Sequence, residues 1–382
     1  MLWAVLGTLD LSRFTDGITS VEGHAGRALL SPRMMLTLWL FAITEGIGSA
    51  RKIARLTQRD APYRWIVSNV AVSHDKLSAF RRKHGEALDR LFTDVVATLM
   101  HKGLLGLDVV SQDGTRTRAA ASAPSFRTYG SLLQCREQAS LHLKAVLAAA
   151  DDDEYSKAQH ARRKAAAKDF QARVEAAIAT VKELQADRKP DDKPARASTT
   201  DAEARVMKMG DGGFRPAFNV QYAVAGSGLG GRRAVVGVQV TNVGSDMSSL
   251  TPMVEQIAQR AGAYPKSLLV DGGHARHEDI VGTERHGVAV ILPPSERAKS
   301  IETLRQEGAP SEVIAWRERM ETPEATEQYR ARASLCELNN AHQKSHHGLD
   351  QFLVRGLAKV TCVVLLGALA TNLTQFGAAL LS

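Results

Sequence analysis

Three acidic residues in separate parts of the chain each lie in a local sequence that suits a metal ligand. Asp113 follows a run of β-type residues and precedes Gly114, Asp271 follows a second such run, and Glu337 lies in a helical stretch. Mg²⁺ prefers oxygen ligands, and two such ions about 4 Å apart can activate an attacking oxygen and stabilise a leaving one. Two carboxylates at strand ends and a third on a helix could therefore share two divalent cations for phosphodiester chemistry.

An ordinary structural role for these carboxylates has to be weighed against the chemical one. An Asp at the end of a strand is more often a turn residue or a helix cap, and a lone helical Glu is more often solvated. Lys344 favours the chemical interpretation, because helical spacing places it on the face of Glu337 about 10 Å along the axis, too far for a salt bridge. A cation there suits a phosphate beside a metal ligand. The same spacing favours Arg330 over Arg332 as a neighbour of Glu337.

Composition limits the possible partners and compartments. The 382 residues contain 49 Lys+Arg against 41 Asp+Glu, for a net charge of +8. An excess of positive charge favours a polyanionic partner, because neutralised phosphates release their counterions. The three cysteines have no CxxC spacing, which indicates a reducing, cytoplasmic compartment and no zinc ribbon. The apolar run at 360–370 is too short to span a membrane and predicts a buried helix.

The spacing of apolar residues predicts the elements that must position these side chains. Helices are expected to about residue 104, and two of them are basic, carrying Arg51 on one and Arg81 and Arg82 on the other. They could form a helix-turn-helix-like DNA reader or could be ordinary surface helices. Strands alternating with helices follow from about residue 107, with a glycine-rich hairpin loop at 226–231 and with Ser245 or Asp246 as a helix N-cap. This order predicts a mixed α/β sheet with helices on both faces.

A long interruption at about 124–215 separates the first strand from the rest of the predicted sheet. It is rich in Ala, Lys, Arg, Glu and Gln between residues 155 and 188, which predicts a helical hairpin in that range. A charged, proline-containing linker at 189–194 is predicted to follow.

The chain resembles the DDE transposases of bacterial insertion sequences, in particular family 1182 of the insertion sequences. The resemblance covers nearly the whole chain, and its most specific element is the string Tyr329-x2-Arg332-x4-Glu337-x6-Lys344. The other strings that carry it are residues 24–82, Gln112-Asp113-Gly114-Thr115, Phe218-Asn219-Val220-Gln221 and Val270-Asp271-Gly272-Gly273. His274 stands where the family usually has Tyr or Phe, and Leu338 stands where Pro is usual.

The resemblance implies a ribonuclease-H-like mixed sheet with flanking helices and a helical insertion. It implies an all-α, DNA-binding N-terminal domain at 1–104 and a catalytic domain at 105–382, interrupted at about 124–215. Asp113, Asp271 and Glu337 would hold two Mg²⁺ or Mn²⁺ ions. Arg332 and Lys344 would contact transposon-end DNA, with Tyr329 supporting them. A helix that starts after Tyr329 would reconcile Arg332 with the helical spacing.

The function implied by the resemblance is that of a metal-dependent polynucleotidyl transferase. It would cleave transposon ends and join them to target DNA, as a homodimer on paired ends, associated with the nucleoid and without a nucleotide cofactor. The alternative is a catalytically inactive or repurposed DNA-binding protein that occupies the terminal repeats. A metal-dependent nuclease without strand transfer is a third possibility.

Overall fold

The computed structural model of the protein describes residues 1–15, 30–149, 156–189, 191–226 and 231–382. The beginning of the transposase-like string at 24–82 and most of the predicted loop at 226–231 lie outside these ranges.

The described residues before position 102 form helices and short turns. Ser49 and Ser73 begin two of the helices by accepting hydrogen bonds from the backbone N–H groups of Lys52 and Lys76, as N-cap side chains do. The helices are α1 (Leu2–Leu6), α2 (Pro32–Thr44), α3 (Ala50–Arg59), α4 (Ala61–Ile66), α5 (His74–Lys83) and α6 (Gly85–His101).

A mixed sheet follows these helices. The strands of the chain are β1 (Val109–Arg118), β2 (Phe126–Thr128), β3 (Arg196–Ser198), β4 (Arg205–Lys208), β5 (Phe214–Gly226), β6 (Arg233–Thr241), β7 (Ser267–Leu269) and β8 (Ala289–Ile291). The main sheet has the order β4-β5-β1-β7-β8, and β6 also pairs with β5. Strands β4, β5, β6 and β1 pair antiparallel, whereas β1, β7 and β8 run parallel. The predicted mixed α/β architecture is confirmed at this level.

Strand β1 is longer than its sequence predicts. Asp113 lies in the middle of it, because β5 pairs with β1 from Val110 to Arg118. The expectation that Asp113 ends a strand and precedes a polar turn is therefore wrong. The long antiparallel partner holds these polar residues in extended conformation.

The interruption between β1 and β5 contains a helical hairpin, but its helices differ from those expected. Residues predicted to form a whole hairpin form the single helix α8 (Lys157–Ala186), and its partner is the earlier helix α7 (Tyr129–Ala148). The two helices share a small core of their own, to which Leu132, Val174 and Ile178 contribute. Strands β2 and β3 pair at the base of the hairpin. Strand β4 lies inside the range predicted as an insertion but belongs to the main sheet.

Further helices cover the sheet. They are α9 (Leu250–Ala261), α10 (His277–Glu284), α11 (Ile301–Gln306), α12 (Ser311–Met320), α13 (Pro323–Arg332) and α14 (Leu338–Ser345), with a π-helical turn at Ala333–Glu337 between the last two. The N-terminus of α9 is capped by Asp279, whose carboxylate accepts hydrogen bonds from the backbone N–H groups of Leu250 and Thr251 at 3.1 and 3.2 Å. The prediction that Asp246 caps this helix is therefore wrong.

The last helix, α15 (Leu357–Leu381), joins the N-terminal helices to the sheet. It packs against α1, α2, α5, α6 and β6. Leu36 of α2, Phe92 of α6, Val236 of β6 and Leu369 of α15 belong to one continuous cluster of buried residues. Among the described residues, α15 is the one helix long and apolar enough to cross a membrane, but most of it is buried within the protein. That burial is typical of a core helix and agrees with the buried helix predicted at 360–370.

Candidate active site

The parallel pairing of β1 with β7 relates the first two predicted ligands. Ser111 is opposite Leu269 in this pair, and continuing the register by two residues brings Asp113 level with Asp271. Because side chains alternate along a strand, the two aspartates leave the sheet on the same side. The carboxylate of Asp113, in the middle of β1, thus lies beside that of Asp271, which follows the end of β7.

The Asp113 carboxylate is enclosed and only 16% exposed. Its Oδ2 accepts a hydrogen bond from Nδ2 of Asn340 at 2.9 Å, and its Oδ1 lies 4.0 Å from a guanidinium nitrogen of Arg332. Burial, together with repulsion from Asp271, raises the pKa of Asp113 to about 6. Such a site favours a cation beside the ionised carboxylate.

Asp271 is the more exposed of the two aspartates and is held by its own loop. Its Oδ1 accepts hydrogen bonds from the backbone N–H of Gly273 at 3.0 Å and from Nδ1 of His274 at 2.9 Å. The hydrogen bond from His274 lowers the pKa of Asp271. The neighbouring aspartates therefore differ in proton affinity, because Asp271 has a hydrogen-bonding partner that favours its ionised form.

A buried polar network lies beneath these carboxylates. The Nε2 of His274 faces Oε1 of Gln221 at 3.4 Å, and Nε2 of Gln221 donates to Asp246 at 2.5 Å. Asp246 also accepts from Asn219 at 2.8 Å and from Arg116 at 2.8 Å. The Asp246 carboxylate is thus held by three side-chain donors inside this network and does not cap the helix that follows.

The residues of this network have only a weak signal in the sequence. Asn219 and Gln221 alternate with apolar residues on β5, which places both polar side chains on one face of a largely buried strand. The sequence does not show which acid they contact. A Cβ on Gly114 would collide with the side chains of Gln221 and Asp246, so the absence of a side chain at Gly114 leaves room for the network.

Glu337 is brought to the site by the π-helical turn Ala333–Glu337. Its Oε1 accepts a hydrogen bond from the Arg332 guanidinium, five residues earlier. The guanidinium therefore lies between the carboxylates of Glu337 and Asp113. Arg330, which regular helical spacing favours, instead pairs with Glu327 at the surface.

Cys336 anchors the π-helical turn on the sheet. It is fully buried, and its thiol donates to the carbonyl oxygens of Ser111 on β1 at 2.9 Å and Tyr222 on β5 at 3.3 Å. Burial raises the pKa of this thiol, so it stays protonated and able to donate. The next side chain, Glu337, is consequently about half exposed on the other side of the turn.

Tyr329 and Lys344 flank the carboxylates from two helices. The Arg332 guanidinium lies 5.7 Å from the centre of the Tyr329 ring, so this ring supports the arginine. Burial lowers the pKa of Lys344, an effect opposed by the charge of Asp113 and increased by that of Arg116. Lys344 thus lies within electrostatic range of Asp113.

The predicted DNA-binding arginines of the N-terminal helices differ in exposure. Arg51 and Arg82 are exposed. Arg81 is 8% exposed, with its guanidinium 4.3 Å from the centre of the Trp39 ring and hydrogen-bonded to the carbonyl of Gly48 at 3.4 Å. The Arg81 side chain is part of the helical packing, which favours a structural role, and its contact with DNA stays a prediction.

In the described part of the chain, no three or more His, Cys, Asp and Glu side chains are already arranged to hold one metal ion. The Arg332 guanidinium lies between two of the predicted ligands. Its contacts show that Asp113 and Glu337 face a common position suited to positive charge.

Two protein-family models match the chain, one near each end. Residues 1–83 match a family described as "Transposase domain (DUF772)", and residues 295–376 match one described as "Transposase DDE domain". The second range includes Tyr329, Arg332, Glu337 and Lys344. No curated protein and no solved structure matches the chain. Neither model distinguishes family 1182, which stays a prediction. The matches indicate DNA transposition and DNA substrates, and they support a relation of both ends of the chain to DDE transposases of the bacterial insertion-sequence type.

Proposed function

We propose that this protein is a transposase, which cuts the ends of its element and joins them to target DNA by metal-dependent, in-line phosphodiester chemistry. Asp113, Asp271 and Glu337 would be the metal ligands. The observation that carries this proposal is the register of β1 and β7, which brings Asp113 level with Asp271, while Arg332 links Asp113 to Glu337.

The side chains of the site fit a hard divalent cation. The three carboxylates supply oxygen donors, and the buried Oδ1 of Asn340 has no hydrogen-bond partner in the structure. When bound, two Mg²⁺ or Mn²⁺ ions would supply an activated water and stabilise the leaving oxygen of the DNA strand.

The remaining residues of the site would orient the ligands and the DNA. His274 holds Asp271 ionised and in one orientation. Arg332, supported by Tyr329, and Lys344 are cations beside the carboxylates, suited to gripping phosphates of the transposon end. No covalent intermediate with the protein and no nucleotide cofactor is needed, because the freed 3′-hydroxyl can itself attack target DNA.

The domain organisation that we infer is a ribonuclease-H-like catalytic domain, preceded by an all-α DNA-binding domain at 1–104. Antiparallel strands β6, β5 and β1 beside parallel β7 and β8 support this assignment. Exposed Arg51 and Arg82 would contact phosphates of the transposon end. Both ends must be cut together, so a homodimer on paired ends is expected to act at the nucleoid.

The test is cleavage and joining of labelled DNA that carries the element's own ends, in Mg²⁺. The natural chain should cut and join these ends, and Asp271→Asn and Asp113→Asn should do neither. Glu327→Gln removes an exposed acid of the same region and serves as the matched control. Equal product from Asp271→Asn and the natural chain would refute the assigned site. Binding of the ends without any reaction would favour an inactive DNA-binding protein.

A further inference from the structure

Asn340 lies within the proposed metal site, although none of the matched motifs assigns it a role. It follows Glu337 by three residues on the helix that begins at Leu338, so the two side chains lie on neighbouring positions of one helix face. It is 7% exposed. A buried amide beside two carboxylates requires a partner for each of its polar atoms.

The orientation of the Asn340 amide follows from its contact with Asp113. Its Nδ2 donates to Oδ2 of Asp113 at 2.9 Å. An ionised carboxylate only accepts hydrogen bonds, so the reverse orientation would set two acceptor oxygens against each other. The amide nitrogen therefore faces Asp113, and Oδ1 is left for another partner.

That partner is missing among the residues that the structure describes. The Oδ1 of Asn340 is buried and accepts no hydrogen bond there. A buried carbonyl oxygen without a donor is unfavourable, and a bound ion or water is the usual remedy. Next to Asp113, an ion is the better fit, because a cation there is attracted by the carboxylate as well.

We propose that Oδ1 of Asn340 is a ligand of the divalent cation that Asp113 binds. The inference rests on the proposed function, and it adds a neutral oxygen donor to the three carboxylates. Asparagine oxygens serve as Mg²⁺ ligands elsewhere in phosphoryl-transfer chemistry, as in the catalytic loop of protein kinases. The same amide holds Asp113 in place, so the Asn340 side chain would both orient Asp113 and bind the metal ion.

The preceding residue provides a matched control. Asn339 is on the same helix and 4% exposed, but its unpartnered atom is Nδ2. An amide N–H group cannot coordinate a cation. Replacing Asn339 therefore disturbs the same buried region without removing an oxygen ligand.

The experiment is Mn²⁺ binding to the full chain, followed by the electron paramagnetic resonance signal of free Mn²⁺. Asn340→Leu should raise the dissociation constant about tenfold or more, whereas Asn339→Leu should stay within about twofold of the natural chain. Asn340→Asp keeps an oxygen at this position and should bind Mn²⁺ within about threefold of the natural chain. Melting temperatures in EDTA verify that each variant folds. If Leu is not tolerated, Asn340→Ala removes the ligand atom without adding bulk and should show the same loss.

Two results would overturn the assignment. One is unchanged Mn²⁺ binding by folded Asn340→Leu or Asn340→Ala, and the other is Asn340→Asp binding as weakly as Asn340→Leu. Asp113→Asn and Asp271→Asn separate this failure from that of the proposed function. If both aspartate variants lose Mn²⁺ while Asn340→Leu keeps it, only the role of Asn340 is refuted. If both aspartate variants bind like the natural chain, the metal site itself is refuted.

Discussion

Arg332 and Glu337 form an ion pair across five residues, the spacing of a π-helical turn. In a regular α-helix, residues three or four apart share a face, so Arg332 would be rotated away from Glu337. The wider turn removes this mismatch, and Arg330 pairs with Glu327 at the surface instead. Single π-helical turns occur often at functional sites. Here the π-helical turn places Glu337 and the Arg332 guanidinium together at the site.

Arg332→Ala should therefore lower strand cleavage far more than Arg330→Ala. A loss of about 10²–10³-fold is expected if Arg332 stabilises charge on the reacting phosphate. Cleavage under single-turnover conditions on pre-bound ends measures this step apart from DNA binding. Equal, small losses in the two variants would show that the pair with Glu337 has no catalytic role.

Asp113→Asn should stabilise the metal-free protein at neutral pH. The pKa of Asp113 is raised from 3.8 to about 6, so the folded state binds the proton more tightly than the unfolded state does. The stabilising contribution is complete below about pH 4 and is lost as the pH rises through 6. Since Asn does not ionise, the variant should gain on the order of 3 kcal/mol of unfolding free energy above pH 7. Urea unfolding in EDTA at pH 4 and pH 7.5 measures the gain.

The companion variant Asp271→Asn should change stability in the opposite direction. The hydrogen bond from His274 lowers the pKa of Asp271, so its ionised form stabilises the fold at neutral pH. A loss of stability by both variants at pH 7.5 would contradict the raised pKa of Asp113.

His274→Phe should weaken the response to metal. The change restores the aromatic type usual in the family but removes the hydrogen bond to Asp271. Loss of a partner that orients a ligand costs about 10–100-fold in metal affinity or activity. The Mn²⁺ concentration for half-maximal cleavage should rise, with partial recovery in His274→Asn, which keeps a donor. His277→Ala, at an exposed position, is the control, and an equal rise there would argue against the role of His274.

Substitutions of the arginines in the N-terminal helices should have separate effects on DNA binding and on fold stability. Arg51→Ala and Arg82→Ala should each weaken binding to transposon ends and reduce the slope of log affinity against log salt by about 1. Arg81→Ala should leave the slope unchanged but destabilise the fold by about 1–2 kcal/mol, through loss of its contacts with Trp39 and Gly48. Titrations at several salt concentrations, with melting curves, distinguish the two effects. A reduced slope for Arg81→Ala would indicate that Arg81 does contact DNA.

Local sequence patterns predicted most elements of the sheet but not the extent of β1. Polar residues around Asp113 look like a turn because nothing nearby in the chain marks them as paired. Their pairing depends on β5, about a hundred residues later, and the long interruption hides that relationship. The hairpin partner was missed for a related reason, since α7 has less of the Ala- and Lys-rich composition that marks α8.

The preference of helical spacing for Arg330 over Arg332, and the assignment of Asp246 as a helix cap, fail for a different reason. Helical spacing assumes 3.6 residues per turn, and no residue type near Glu337 signals a π-helical turn. Asp246 precedes a helix, and its local sequence is typical of a cap, but Asn219 and Gln221 of strand β5 donate hydrogen bonds to it. Both cases show tertiary contacts overriding a sound local rule.

The placement of α15 makes the fold depend on a helix that is translated after all the elements it packs against. Until this helix has left the ribosome, α2, α6 and β6 lack the part of their apolar cover that α15 provides. A gene copy with a stop codon before residue 357 would therefore produce an aggregation-prone chain rather than a repressor that occupies the repeats. A truncated copy of the element would therefore yield no working protein. A folded but inactive protein, which could still bind the ends, would have to arise through substitutions that leave this helix intact.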